Sequence, residues 1–390
     1  MNQSVLSVAN NEDKFQLATY KKMPIAAESG SRAWIYTNEG ENYLDLYGGH
    51  AVAGTGHCHP HVVEAIQAQA EKLIFYSNLI YSDARGRAAE KLVSIAPDSL
   101  TKAFFCNSGT EANENAMRMA RMCTGREKII TFTGGFHGRT ADAISATFLG
   151  KYRDIGKPNV PGHLQAEFGN IDSVRELADD TVAAIMLEPI QSMAGVNMAE
   201  PDFYRALRTL CDERGIVLIY DEVQTGVGRT GQWFFAGSAA GDGVVPDIVT
   251  LAKALGSGVP VGACLVTDAI SSHIKENDLG TTFGGGMLAM AAVTATIEAI
   301  ENDGMLENVR RVEAYLRERV KEVDRIMGVR GLGFLLGIEF KEDAAIIHKA
   351  LLERKIITGT SSNPKVLRLL PPLCLQESEV DLFVAAAKFW

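Results

Sequence analysis

Several features are missing from this 390-residue chain, and each absence excludes something. No basic run occurs: 38 lysines and arginines stand against 48 aspartates and glutamates, giving a net charge of −10. The cations are scattered, so the chain has no electrostatic footprint for a nucleic acid. No stretch of roughly 18 apolar residues is present, and the opening Met1–Asn11 has no basic segment leading into a long apolar one. A cytoplasmic protein without a membrane span is therefore expected. The six cysteines, Cys58, Cys106, Cys123, Cys211, Cys264 and Cys374, show no paired spacing and lie mostly in apolar or helical stretches. They read as buried thiols in a reducing compartment, not as a disulfide framework. Linkers, repeats and low-complexity tracts are also absent, so any domains are expected to be tightly joined.

What is present fits an α/β fold. The chain is too long for one small core, and with 46% hydrophobic and 22% charged residues it has an ordinary globular composition. Apolar runs alternate with helical spacing through about residue 265, which predicts a mainly parallel central sheet flanked by helices. From about 305 the pattern changes. An amphipathic helix over 306–326, short strands over 331–340 and 366–369, and helices near 342–354 and 377–389 predict a smaller α+β domain. The segments Ala33–Tyr36 and Asn42–Leu46 flank the turn Asn38–Gly40 and read as a hairpin that packs on another domain. The expected division is 1–50, 51–290 and 291–390.

The chemistry centres on Ile216–Tyr220, an apolar run that delivers Asp221 and Glu222 to a strand end, where open α/β sheets bind ligands. A second run, Pro246–Ala252, delivers Lys253 to a glycine-rich turn. A desolvated amine has a lowered pKa and can form a Schiff base. Acid and amine at adjacent strand ends suggest pyridoxal 5'-phosphate, with the carboxylate keeping the pyridine nitrogen protonated and the lysine holding the aldehyde. A lysine after an apolar run can equally be a strand-end residue snorkelling to water.

Other stretches add weight. Lys102–Cys106 runs into Asn107-Ser108-Gly109-Thr110-Glu111 and a helix, offering hydroxyls and unpaired N–H groups to an anion. The same stretch would serve as a plain helix cap. Gly134–Thr140 sets Phe136 and Arg139 in a glycine loop, suited to stacking on a flat ring and to gripping a carboxylate, or else to capping the core and meeting solvent. Glu188 ends the apolar run Val182–Leu187, and Thr282 stands at a glycine-flanked helix start. Arg368, inside Val366–Leu373, is a charge in need of a partner. Two competing motifs are set aside. His57-Cys58-His59-Pro60-His61 resembles a metal cluster but lacks a second ligand spacing, so no metal is expected and a loop leading into a helix over 61–73 is. Gly226-Val-Gly228-Arg-Thr-Gly231 formally matches the dinucleotide fingerprint of a nicotinamide dehydrogenase. However, Asp221–Thr225 separate it from the strand, and no convincing helix follows.

Together, Asn107–Asn113, Gly135–Thr140, Asp221–Gln224, Leu251–Gly256 and Thr281–Gly285 resemble the class III aminotransferases of the fold type I pyridoxal-phosphate enzymes, from about residue 20 to the C-terminus. The resemblance implies that Lys253 carries the cofactor aldehyde and moves the proton, that Asp221 pairs with the pyridine nitrogen, and that Gln224 lies near the phenolic oxygen. Phe136 and Val223 would sandwich the ring, with Ser108 and Glu222 beside the cofactor. Gly109 and Thr110 would bind phosphate, joined by Thr282 of a second subunit, so a homodimer is implied. Arg139 and Thr281 would hold one substrate carboxylate; Arg368 would hold the α-carboxylate of glutamate and pair with Glu188 when a donor with a terminal amine is bound. The implied reaction moves that amine, foremost from N-acetylornithine in arginine biosynthesis, to 2-oxoglutarate. Gly286-Met287, Ser192-Met193-Ala194 and His50 depart from the family pattern near the substrate tail. Carrier-linked or acylated diamines of lysine biosynthesis, succinylornithine, ornithine and 4-aminobutyrate therefore stay open as donors.

Overall fold

The computed structural model describes residues 3–388. Seven strands form its central sheet: β1 (Leu100–Cys106), β2 (Lys128–Phe132), β3 (His163–Ala166), β4 (Val182–Leu187), β5 (Val217–Asp221), β6 (Ile248–Leu251) and β7 (Gly262–Thr267). Their spatial order is β1-β7-β6-β5-β4-β2-β3. All pairings from β6 across to β3 are parallel. β7 runs antiparallel to both of its neighbours, β6 and β1, and is the one reversed strand of the seven. Both faces of the sheet are covered by helices, which is why β4 and β5 are buried at every residue and read as unbroken apolar runs. The expected mainly parallel α/β sheet is the sheet observed.

Helix α1 (Gly109–Thr124) follows β1 and packs on β7 and β6, with Ala112, Ala116 and Ala120 letting it approach closely. Helix α2 (Pro201–Arg214) leads into β5, its turn closed by Gly215 in a left-handed conformation at φ 59°. Helix α3 (Met287–Asn302) is apolar nearly all round because it is enclosed, touching the helices Pro60–Lys72 and Asp83–Ser94.

The hairpin read near residue 40 forms with Trp34 opposite Leu44 and Tyr36 opposite Asn42. It gains a third strand, Ala27–Ser31, and a parallel edge strand, Ile356–Ile357, from the C-terminal part of the chain. A helix over Gln3–Phe15 precedes it, which the alternating pattern did not announce. Residues 1–2 and 389–390 lie outside the described residues. The last helix runs Glu377–Lys388, so the final expected position, 389, cannot be compared.

One expected span is corrected. The helix read over 306–326 is Met305–Arg319 followed by a short turn at Val320–Glu322, and residues 326–332 already form a strand. Leu316, Val320 and Val323 are all buried and keep helical spacing past the true end, which extended the reading. The single strand read over 331–340 is a hairpin, Ile326–Leu332 with Leu335–Phe340, turning at Gly333 with φ 61°. Among the described residues, no helix is long and apolar enough to cross a membrane.

Candidate active site

The carboxyl ends of β5 and β6 open into a cavity of about 370 Å³. Its lining includes Ser108, Gly109, Thr110, Phe136, Glu188, Asp221, Val223, Gln224 and Lys253, residues drawn from five separate stretches of the sequence. Asp221 closes β5 and is almost wholly buried. One carboxylate oxygen, Oδ2, accepts hydrogen bonds from His137 Nδ1 and Asn113 Nδ2, both at 2.8 Å; the other accepts from the backbone N–H of Val223 at 3.1 Å. Asn113 is held in turn, donating also to the His137 carbonyl at 2.7 Å and accepting from the Thr250 hydroxyl at 2.6 Å. A buried carboxylate costs stability unless such donors surround it. Here they also fix its direction.

Lys253 follows β6 and lies in the left-handed region, at φ 44°. A non-glycine residue is strained there, and such strain persists where the surroundings over-determine the conformation. Its amine makes no hydrogen bond or ion pair with the described residues. Burial lowers its pKa well below that of an ordinary lysine, although Asp221 and Glu188 act in the opposite sense. Glu188 is shifted the other way: burial, reinforced by the charge of Asp221, raises it far above the usual carboxylate range. Its Oε1 accepts from the Phe136 N–H at 2.8 Å.

At the start of α1, the Ser108 hydroxyl caps the Glu111 N–H at 3.3 Å, and the Glu111 carboxylate returns to the Asn107 N–H at 3.0 Å. The cap reading of this stretch is therefore correct for Ser108. Gly109 is required by space as well, since a Cβ there would lie 2.9 Å from both methyl groups of Val223. The Thr110 hydroxyl meets that of Thr140 at 2.6 Å. Glu222, the second acid of the β5 end, turns away into the protein and binds the N–H groups of Phe235 and Ala236 at 2.7 and 2.8 Å and the Thr225 hydroxyl at 2.9 Å. Burial raises its pKa to about 7 against those bonds.

The residues expected at the substrate end are more dispersed. Arg368 is buried, and its guanidinium donates to the Thr360 carbonyl at 2.8 Å, the Ser192 hydroxyl at 3.2 Å and the Tyr47 hydroxyl at 2.6 Å. It forms no ion pair with Glu188 among the described residues; neutral oxygens supply the partners its buried charge required. Arg139 is exposed and stacks 4.9 Å above the ring of Tyr152, which meets Phe136 edge-on at 5.4 Å. Thr281 accepts from Asn107 Nδ2 at 3.1 Å and so touches the segment that opens α1, and Thr281 and Thr282 both line a separate cavity on this chain. His50 lies edge-on to Tyr47, with ring centroids 4.6 Å apart. His57, His59 and His61 diverge to three different carboxylates, Asp45, Asp303 and Glu298.

The arrangement fits a flat, phosphorylated aldehyde bearing a ring nitrogen. The start of α1 offers its N–H groups to a phosphate, and Phe136 and Val223 supply apolar faces. Gln224 lines the cavity as well, and its amide oxygen is buried without a partner among the described residues, so its amide is not committed elsewhere in the protein. Sequence reasoning gave no role to His137, Asn113, Thr250 and Tyr47, which orient the site, and marked Ser192 only as a departure near the substrate tail. Asn113 was open to inference, since it stands four positions after Gly109 and so shares its helical face.

The family described as class-III aminotransferase matches residues 16–388. The acetylornithine aminotransferase of Archaeoglobus fulgidus is 42% identical over 370 residues, covering 95% of this chain and 96% of that protein. Among solved structures, the ornithine aminotransferase of Toxoplasma gondii, crystallised with partial occupancy of PLP at its active site, superposes with a TM-score of 0.91 at 27% identity over 98% of this chain and 93% of that one. The acetylornithine aminotransferase of Elizabethkingia anophelis gives 0.85 at 28% identity, covering 98% of each. The matched span takes in every residue of the cavity, and the chain belongs to the class III aminotransferases, enzymes of the fold type I α/β architecture.

Proposed function

We propose that this enzyme transfers the terminal amino group of N-acetylornithine to 2-oxoglutarate, giving an aldehyde and glutamate, with pyridoxal 5'-phosphate as cofactor. The reading is carried by one observation: Asp221 and Lys253 line the same cavity as the start of α1. The curated relatives named acetylornithine aminotransferase, 36% to 42% identical over nearly the whole chain, favour the acylated donor.

When bound, the cofactor supplies an aldehyde to capture amines and a ring to accept electrons from the substrate carbon. The chain does the rest. Lys253 would hold the aldehyde carbon until the donor's amine takes its place and, freed as an amine of lowered pKa, would take the proton from the donor's amine-bearing carbon and return it to that aldehyde carbon. Asp221 holds a proton on the ring nitrogen, and His137 and Asn113 fix the carboxylate for that task. Phe136 and Val223 exclude water from the two ring faces, Gln224 lies near its phenolic oxygen, and Ser108 stands beside the cofactor at the start of α1. Gly109 and Thr110 take the phosphate, and Glu222 fastens the loop that bears Val223 and Gln224. Arg139 with Thr281 seats the donor's carboxylate, while Arg368 seats the α-carboxylate of the keto acid and pairs with Glu188, which lines the cavity, when the amine donor is bound.

We further read the chain as a cytoplasmic homodimer divided at about residues 50 and 290. Leu79, Tyr81 and Phe283 are 89%, 105% and 65% exposed beside Thr282, an apolar surface that a second copy would cover while bringing Thr282 to its phosphate. The test is spectroscopic. Purified holoenzyme should lose its visible absorbance on addition of N-acetylornithine and regain it with 2-oxoglutarate; a protein that stays colourless when given pyridoxal phosphate would sink the proposal.

A further inference from the structure

The stretch Gly226–Gly231 matched a dinucleotide fingerprint, yet it is not followed by a helix and does not line the cavity. Its arginine has another task. Arg229 is 1% exposed, the largest side chain so deeply buried, and no ion pair reaches it among the described residues. Its guanidinium donates to the carbonyls of Phe334 and Pro371, while its own carbonyl accepts the Phe334 N–H at 2.8 Å. A buried guanidinium without a counter-ion is costly, so the bonds it makes are where its value lies.

Both ends of this tie lead to the site. On one side, Arg229 stands in the loop after β5, which Glu222 fastens at Phe235 and Ala236 and which begins with Val223 and Gln224. On the other, Pro371 is three residues beyond Arg368. Phe334 opens the strand Leu335–Phe340, in which Gly337 pairs with Arg368. The junction leaves no slack: a Cβ on Gly333 would fall 2.5 Å from the Arg229 carbonyl, and one on Gly228 would fall 2.8 Å from Leu373.

We propose that Arg229 is a positioning residue, tying the loop after Asp221 to the strand of Arg368 so that the keto-acid seat keeps its distance from the cofactor seat. This rests on the reading of Arg368 as the α-carboxylate seat. Because the donor's carboxylate is assigned to Arg139, on a different loop, loosening the tie acts on one half of the reaction cycle only.

The test measures each half-reaction by single-turnover spectroscopy of holoenzyme. In Arg229→Lys, the 2-oxoglutarate concentration needed for half-maximal rate should rise roughly 10- to 100-fold, the scale of a misplaced positioning group, while the N-acetylornithine half-reaction stays within about twofold. Gly333→Ala, which disturbs the junction from the opposite side, should reproduce the split. In an Arg368→Lys background, Arg229→Lys should add little, since both act on one seat. Equal loss in both half-reactions, no change in either, or failure of both single variants to accumulate as soluble holoenzyme would each assign Arg229 to folding alone and overturn the proposal. A wild-type enzyme without spectral response to either substrate would instead overturn the transaminase reading itself.

Discussion

Asp221 and Arg368 are both 4% exposed, yet their charges are treated differently. Asp221 is ringed by donors from His137, Asn113 and Val223, all within the central sheet and the helix and loops at its edge. Arg368 meets only neutral oxygens, from Thr360 on the adjacent strand and from Tyr47 and Ser192 in distant parts of the chain. The first charge is oriented by the protein alone. The second keeps a net positive charge that an incoming carboxylate can satisfy, and Arg139 is freer still, resting on one aromatic ring in reach of solvent. A cofactor that stays through every turnover suits a finished seat; substrates that alternate suit one that each ligand completes.

The largest effect should follow from breaking the finished seat at its reactive atom. Lys253→Ala is expected to lower kcat by roughly 10⁴-fold or more, as loss of a covalent catalyst does, and to abolish a borohydride-reducible bond between cofactor and chain. Substantial residual turnover would move the amine's role elsewhere. Asp221→Asn keeps the shape but removes the charge, and should cost about 10²- to 10³-fold in kcat, the scale of one preorganised electrostatic group. Asn113→Ala touches no substrate; it leaves Asp221 Oδ2 with His137 alone and should cost on the order of 10- to 100-fold in kcat, with KM for either substrate little changed. If Asn113→Ala were harmless while Tyr47→Phe, at the Arg368 seat, lowered kcat for both half-reactions, the contrast between the two seats would fail.

How much of this was legible depends on how locally each part is built. The β5 end was readable because the five residues Ile216–Tyr220 run straight into an acid, and β6 with Lys253 and β1 with Ser108–Thr110 are built as locally. The partners of Asp221 were less readable: Asn113 could be placed on the helical face of Gly109, but only the fold brings it and His137, 108 and 84 positions away, to that carboxylate. Arg368 was flagged as a charge needing a partner, but nothing local could name Tyr47, which is 321 residues distant. The helix misread over 306–326 shows the converse: burial at Leu316, Val320 and Val323 kept a period that the backbone had abandoned. The reversed strand β7 was also hidden, because a buried apolar run carries no mark of direction.

The smallest expected effect is on stability, at Glu222, and it sharpens the contrast from the side of the finished seat. Its carboxyl has a pKa raised from 4.5 to about 7 by burial. Below the unfolded value both states carry the proton, and the group exerts no pH-dependent penalty. As pH rises toward 7 the unfolded chain ionises while the folded one resists, so stability falls, by up to ~3 kcal/mol once both are ionised. Glu222→Gln removes the titration but also puts an amide N–H where Phe235 or Ala236 donates, a loss that does not vary with pH. The variant should therefore be less stable than wild type at pH 5, and the gap should narrow by pH 8, as read by urea denaturation at each pH. Taking the difference between the two proteins cancels Glu188, which is shifted in the same direction but is present in both. A gap that widens with pH would mean that Glu222 is ionised throughout, held by its three donors, and that the loop bearing Val223 and Gln224 hangs on a charge.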